Sequence, residues 1–552
     1  MKIPATAAKR IKPDKPDPAA RRIKAEKPDT AADRIKAIPN VAWLAIGAVL
    51  IVAAGLIVVL SSSSSSSSVS SAAKSADFTG TGYPGVDTAN TRFVAGPIDK
   101  SSAPSLGVAW TLPLSAESTY GADSSTPVIS KGVIYSQDLQ SNVQAISLES
   151  GEELWRKSYE DADQGPNGVV VAGGSVFGAT SSTAFALDQK TGEEIWSVPL
   201  TRGSNEGIDM PPGYHDGLVY VSTVPTIANS EYPGGGVGVL WALDAKTGKK
   251  AWHFNTVPDN LWSSENADIN SGGGLWYAPS FDKQGFMYFG TGNPAPYPGT
   301  AQFPWGSSRP GPNLYTDSMV KLDAKTGKMK WYYQLTPHDV YDWDFQDPPI
   351  LTSTGGRELA IGAGKSGIVG AVDAETGKPV WKRPVGEHNG HDEDGLKAMR
   401  GELAQLGDGT VFPGTLGGVI APMAANATTV FVPVVNHSLS VSGGSEIGES
   451  SSLTGELVAI DIKTGAIDWK QEYPTAAFGA PTAVNDMVFM TTFDGTVHGL
   501  DAKTGGEVWQ GSLPAGSNTG LAASGDTLIV PAGIPTEEGQ TAEVVAYRLG
   551  GE

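Results

Sequence analysis

One pattern recurs along the chain and narrows its fold more than any other feature: apolar-Asp-x-Lys-Thr-Gly, with Trp eight residues after the Asp. The copies are Leu187-Asp188 to Trp196, Leu243-Asp244 to Trp252, Leu322-Asp323 to Trp331, Val372-Asp373 to Trp381, Ile460-Asp461 to Trp469 and Leu500-Asp501 to Trp509. Glu375 takes the Lys place in one of them, and a degenerate copy, Ser147-Leu148-Glu149-Ser150-Gly151 to Trp155, keeps only the spacing. Each copy joins two short β-rich runs by a turn, in which Gly supplies the φ > 0 corner and Asp caps the turn. The Trp stands at the same point of every unit, where a large flat side chain can dock between neighbouring sheets. Trp110 has no such turn upstream; the matching strand, residues 544–549, comes from the other end of the chain. Eight docking tryptophans, with the two ends completing one unit, predict an all-β fold, an eight-bladed β-propeller.

The Trp-to-Trp spacings are 45, 41, 56, 79, 50, 88 and 40 residues. A four-stranded blade takes about 40 to 45 residues. The excess marks insertions, the large ones between Trp252 and Trp331 and between Trp381 and Trp469, and insertions of that size build binding faces. Composition agrees with short strands and turns: 69 of 552 residues are Gly and 38 are Pro. Cysteine is absent, which excludes disulfides, thiolate metal sites, Cys nucleophiles and c-type haem attachment, but leaves the compartment open.

The net charge of −20 is unevenly spread. Residues 1–40 carry eleven Lys/Arg against five Asp/Glu, so the remainder is strongly acidic, which argues against nucleic acid as a partner. Residues 41–60 are uncharged and apolar, long enough at about 1.5 Å per residue to cross a bilayer core. The basic flank places the N-terminus inside and the body outside the cytoplasmic membrane. The expected organisation is a basic cytoplasmic tail (1–40), a single transmembrane helix (41–60), a Ser-rich linker (61–76) and a propeller domain (77–552). A cleaved signal peptide is the competing reading of the apolar stretch.

Two further stretches lie in and just after the first long insertion: Gly290-Thr291-Gly292-Asn293-Pro294-Ala295-Pro296, and Trp331 to Asp344 with His338-Asp339-Val340-Tyr341-Asp342-Trp343-Asp344 at its end. Together with the repeat and an opening segment Asp87-Thr88-Ala89-Asn90-Thr91-Arg92, they resemble the quinoprotein alcohol dehydrogenases, which depend on pyrroloquinoline quinone (PQQ). The resemblance spans roughly residues 85–549. It implies that Asn293 ligates a divalent or trivalent cation and that Asp342 is both general base and metal neighbour. Asp344 resembles the extra carboxylate of the lanthanide-using branch. Calcium or a lanthanide is thus the implied ion, polarising the quinone carbonyl. Lys365, in Gly364-Lys365-Ser366-Gly367, resembles the basic residue that hydrogen-bonds the quinone; the Walker spacing fails, because residue 359 is Leu. Trp276 resembles the indole beneath the cofactor plane, and Asn436 falls in another cofactor-facing segment. Glu231 stands about two residues off the place of a family Glu ligand.

Each of these residues also has an ordinary structural reading, as turn cap, rim Trp or exposed Lys. One departure is plain: where many members place adjacent cysteines over the quinone, this chain has Asp161-Ala162-Asp163-Gln164-Gly165-Pro166-Asn167-Gly168. The polar loop His388-Asn389-Gly390-His391-Asp392-Glu393-Asp394 reads as a solvated tip or a metal-binding loop. The resemblance implies oxidation of a small alcohol or sugar, with electrons passed to a separate acceptor. The rival reading is a non-catalytic propeller that serves as an envelope scaffold or binding protein.

Overall fold

The computed structural model describes residues 82–552, apart from 119, 227–233, 260 and 451. The basic tail, the apolar stretch 41–60, the Ser-rich linker and Glu231 therefore lie outside the described residues. Among the described residues no helix is long and apolar enough to cross a membrane.

The described chain is an all-β propeller. Among the described residues, eight sheets have four strands or more, and most are antiparallel meanders in chain order. The sheet that carries Trp331 shows the plan: Ser280–Phe281, Phe286–Gly290, Ser318–Asp323 and Met329–Gln334. Its third strand is buried along most of its length, whereas the last alternates exposed and half-buried residues, because only one side of an outer strand meets a neighbour. Residues 106–113 pair antiparallel with 543–549, so the two ends of the described chain share one sheet.

Each repeat tryptophan follows a β-bulge. In the Trp331 sheet Lys321 pairs with Trp331 and Leu322 with Met329, so Lys330 is skipped; the other seven sheets slip at the same place. A bulge re-aims the side chain that follows it. Here it turns each indole onto the next turn: Trp110 Nε1–H donates to Leu148 O, Trp155 to Gln189 O, Trp196 to Ala245 O and Trp252 to Ala324 O, at 3.0–3.2 Å. Trp331 donates to Ala374 O, Trp381 to Ile462 O, Trp469 to Ala502 O and Trp509 to Leu106 O, at 2.9–3.2 Å. The last contact returns to the first sheet. The turn glycine lies flat against the indole, and a Cβ on Gly377 would collide with Trp331. With φ at +70° that residue is glycine for both reasons.

The two long insertions meet each other. Trp305 from the first packs with Val340, Tyr341 and Trp343, and with Ala398, Leu406, Val411, Leu439 and Val441 from the second. The segment His338–Asp344 is clamped between them, as Trp343 Nε1–H donates to Pro413 O at 3.1 Å and Tyr341 Oη–H to Asp394 Oδ2 at 2.7 Å.

Candidate active site

Three loops are stitched together by backbone contacts that glycine alone permits. Thr291 pairs with Phe345 as an isolated bridge, and a Cβ on Gly290 would clash with Phe345 O. Lys365 N–H donates to Asp344 O at 2.9 Å, and a Cβ on Gly364 would clash with the same oxygen. On the other side Ser271–Gly272 pairs with Pro294–Ala295. The stretch Asp344-Phe345 is thus held between the Gly-Thr-Gly-Asn loop and the Gly-Lys-Ser-Gly loop, which brings Asn293, Asp344 and Lys365, up to 72 residues apart in sequence, into one place.

There Lys365 Nζ reaches Asp342 Oδ2 at 2.7 Å and Asp344 Oδ2 at 2.6 Å. Asp344 Oδ1 accepts the Asn293 N–H at 2.8 Å. The Lys365 ammonium lies 5.2 Å from the centre of the Trp276 ring, a cation–π contact. Asp342 sits at φ 65°, a conformation a non-glycine residue adopts only when its surroundings dictate it. Its Oδ1 is buried and has no hydrogen-bond partner. Burial pushes the Asp342 carboxyl up, Lys365 pulls it down and Asp344 pushes it up again; the result is well above the usual carboxylate range.

Five expected residues therefore converge: Asn293, Asp342, Asp344, Lys365 and Trp276. Asn436 makes no hydrogen bond to them. Its Nδ2–H donates to Glu456 Oε1 at 3.2 Å, and its Oδ1 accepts the Glu387 N–H at 2.9 Å. The His388–Asp394 loop is exposed at Asn389, Gly390, Asp392 and Glu393, and is anchored at its end by Asp394. His391 Nδ1 and Lys397 Nζ both reach the Asp394 carboxylate, which also accepts from Tyr341, so the loop is pinned next to Asp342.

Sequence reasoning missed the buried charge around this centre. Asp339 and Asp317 are both fully buried. Asp339 accepts the Tyr341 and Trp343 N–H groups at 3.0 and 2.8 Å; burial raises its pKa to about 6, against the pull of those bonds and of Arg309. Arg309, also buried, donates to Pro296 O, Asp339 O and Asn313 Oδ1 and so braces the first insertion. A cleft opens beside Trp276 and Asn293, lined also by Gly272, Gly273, Gln164 and Asp209. Gln164 belongs to the segment that stands in place of the cysteine pair. Asp209 shares a hydrogen bond with Asp163, and burial together with that neighbour raises its carboxyl well above the usual range. No motif marked Asp209 or Asp317, because their roles follow from which loops pack together.

Among the described residues, no three or more His, Cys, Asp or Glu side chains form a ready-made metal site. Lys365 draws Asp342 and Asp344 together instead. The donor set nevertheless suits a hard cation: carboxylate and amide oxygens, a buried Asp342 Oδ1 without a partner, and more buried acid than base. The Trp276 face beside a glycine-lined cleft suits a flat aromatic cofactor.

Two family models match the chain. One, described as glucose/ethanol/alcohol dehydrogenase, β-propeller domain, covers residues 206–397. The other, described as outer membrane protein assembly factor BamB, covers 107–285 and 428–550. The chain is 29% identical over 500 residues to the quinohemoprotein alcohol dehydrogenase ADH IIB of Pseudomonas putida, spanning 76% of this chain and 67% of that one. It is 28% identical over 519 residues to the putative dehydrogenase XoxF of Paracoccus denitrificans, spanning 78% and 82%. Among solved structures, the quinohemoprotein alcohol dehydrogenase from Comamonas testosteroni aligns with a TM-score of 0.72 at 25% identity, over 85% of this chain and 80% of that one. A europium-containing methanol dehydrogenase aligns with a TM-score of 0.70 at 18% identity, over 85% and 98%, a likeness of fold.

Proposed function

This chain belongs to the PQQ-dependent alcohol dehydrogenase family, and from that premise we propose that it oxidises an alcohol or a sugar outside the cytoplasmic membrane. The eight sheets are read as eight blades, supported by the closed series of Trp-to-turn bonds. The uncharged stretch 41–60 with its basic flank supports a single membrane anchor, N-terminus inside. Electrons leave to a separate acceptor, since the chain has no Cys to attach a haem.

The observation that carries the reading is the convergence of Asp342, Asp344, Asn293, Lys365 and Trp276 beside one cleft. Asn293, Asp342 and Asp344 would hold the cation, with Glu231 a further candidate from outside the described residues; Trp276 and Lys365 would hold the quinone. PQQ with its cation supplies a hydride acceptor when bound. The chain's own part is proton handling and positioning. Asp342 Oδ1 is open to accept the substrate hydroxyl proton, while Lys365 holds Oδ2 and fixes the carboxylate plane. A bound cation favours the ionised form of Asp342, opposing the burial that raises it. The insertion around Asp394 braces Tyr341, next in the chain to the base, and helps exclude water.

A second reading has two observations in its favour: the family model described as outer membrane protein assembly factor BamB covers 107–285 and 428–550, and the segment 161–168, which lines the cleft at Gln164, stands where many members of the family have a cysteine pair. It keeps the ring, loses the quinone and makes the protein an envelope scaffold. Titration of the purified protein with PQQ and either Ca²⁺ or a light lanthanide separates the two. Micromolar binding, with dye reduction on adding alcohols, is expected of the dehydrogenase; no quinone binding with either ion would leave the scaffold.

A further inference from the structure

Asp317 is a buried aspartate that makes no ion pair among the described residues, although Arg309 lies close enough to act on it. It is fully buried, and neither carboxylate oxygen has a hydrogen-bond partner. The neighbouring Thr316 hydroxyl spends its proton on Asn313 O at 2.7 Å. Arg309, the nearby cation, spends its N–H groups on Asn313, Pro296 and Asp339 amide or backbone oxygens, so it pulls the Asp317 carboxyl down without bonding to it. The loop cannot swing the side chain out: Asp317 N–H donates to Gly292 O at 3.3 Å, and Asp317 O accepts the Leu335 N–H at 2.9 Å.

That same Gly292 adjoins the cation site. A Cβ on it would come within 3.1 Å of Asp344 Oδ1, and the next N–H, of Asn293, donates to that oxygen. Asp317 through its backbone and Asp344 through its carboxylate therefore both hold one dipeptide, Gly292-Asn293. The buried carboxylates of Asp317, Asp339, Asp342 and Asp344 act on one another here, against the cations Lys365 and Arg309, and among the described residues only Lys365 makes an ion pair with any of them. Unpaired buried charge is expensive unless something neutralises it.

We infer that Asp317 belongs to the charge set of the cation site and biases that site towards a trivalent ion over a divalent one. The inference rests on the cation site proposed above and adds a residue that the family resemblance did not supply. The physics is Coulombic. A carboxylate near an ion, though not touching it, stabilises a +3 charge one and a half times as strongly as +2, and in a water-poor site that difference is large. Asp344 is ion-paired with Lys365; Asp317 is only partly offset by Arg309, which makes no ion pair with it, and the rest of its field is left for the ion.

The test uses the full chain, stripped of metal, with Tb³⁺ as the probe, read by Trp-sensitised luminescence, and Ca²⁺ as competitor. Asp317→Asn is expected to weaken Tb³⁺ binding relative to Ca²⁺ by about tenfold. Asp317→Ser is measured alongside and read in its place if the Asn variant does not fold. Asp342→Asn should remove Tb³⁺ binding and so locate the ion. An unchanged Tb³⁺ to Ca²⁺ ratio in the Asp317 variants overturns the inference, as does a wild-type protein that binds no Tb³⁺. A PQQ titration on the same samples reports on the dehydrogenase reading by itself. Tb³⁺ selectivity that depends on Asp317, with no quinone bound, would sink that reading and leave this one standing.

Discussion

The rim and the axis of this protein are built on the same residue, used in opposite ways. At the rim, Asp244, Asp323 and Asp373 sit near solvent and accept hydrogen bonds from the turn Thr hydroxyl and the N–H groups that follow. Those bonds, the Thr hydroxyl foremost, hold each carboxyl below its ordinary value. At the axis, meaning the interior around the candidate site, Asp317, Asp342 and Asp347 are buried, and burial holds each well above it. The Asp347 N–H donates to Ala363 O, next to the Gly364 loop. A rim aspartate stabilises the fold by being charged. An axial aspartate destabilises it by the same charge, and is retained for something other than stability.

Substitutions can break this contrast at either end. The largest effect is expected at Asp342. Asp342→Asn keeps the shape and removes the base, and should lower the turnover of the quinone-loaded protein by about 10³-fold, measured by dye reduction. Next comes the rim's dock. Trp331→Ala removes a half-buried indole and its bond to Ala374 O, and should cost about 3 kcal/mol in denaturant unfolding. A smaller effect, of opposite sign, is expected at Asp317. Asp317→Asn should stabilise the ion-free protein by about 1–2 kcal/mol at neutral pH. A carboxyl raised in the folded state destabilises above its unfolded pKa, so this gain should vanish as the solution is acidified. The smallest is Asp373→Ala, at about 0.5 kcal/mol. Its carboxyl is depressed in the folded state, so that cost is present at neutral pH and is lost as pH falls through the folded value. Paired unfolding curves at pH 7 and about pH 2 would show the two aspartates converging from opposite sides.

The rim was legible in the sequence because its signals are local. Asp, Thr, Gly and Trp act within nine residues of one another, and no distant contact is needed to interpret them. The bulge was not legible, since nothing in Met329-Lys330-Trp331 says that Lys330 will be skipped; the neighbouring strand decides it. One hint was present in the facing positions: Ala145, Ala186, Ala242, Ala371, Ala459, Gly499 and Ala546 are small where they pair with a Trp. Lys321 breaks that rule, and its Nζ donates to the same Ala374 O that Trp331 uses. At the axis, Asn293, Asp342, Asp344 and Lys365 were legible through their loops. Asp317 was not, because its meaning arises only when Gly292 folds against it. Asn436 shows the reverse, a residue picked out by its segment that lies bonded to Glu387 and Glu456 instead.

The sheet shared by residues 106–113 and 543–549 bears on how the molecule can be made. During synthesis the strand at 106–113 leaves the ribosome more than four hundred residues before its partner, and until then it presents an open edge able to capture foreign strands. A product truncated before residue 543 would keep that sticky edge. Synthesis therefore has to pass residue 549 before that edge is covered, and a pause shortly before that point would prolong the exposure.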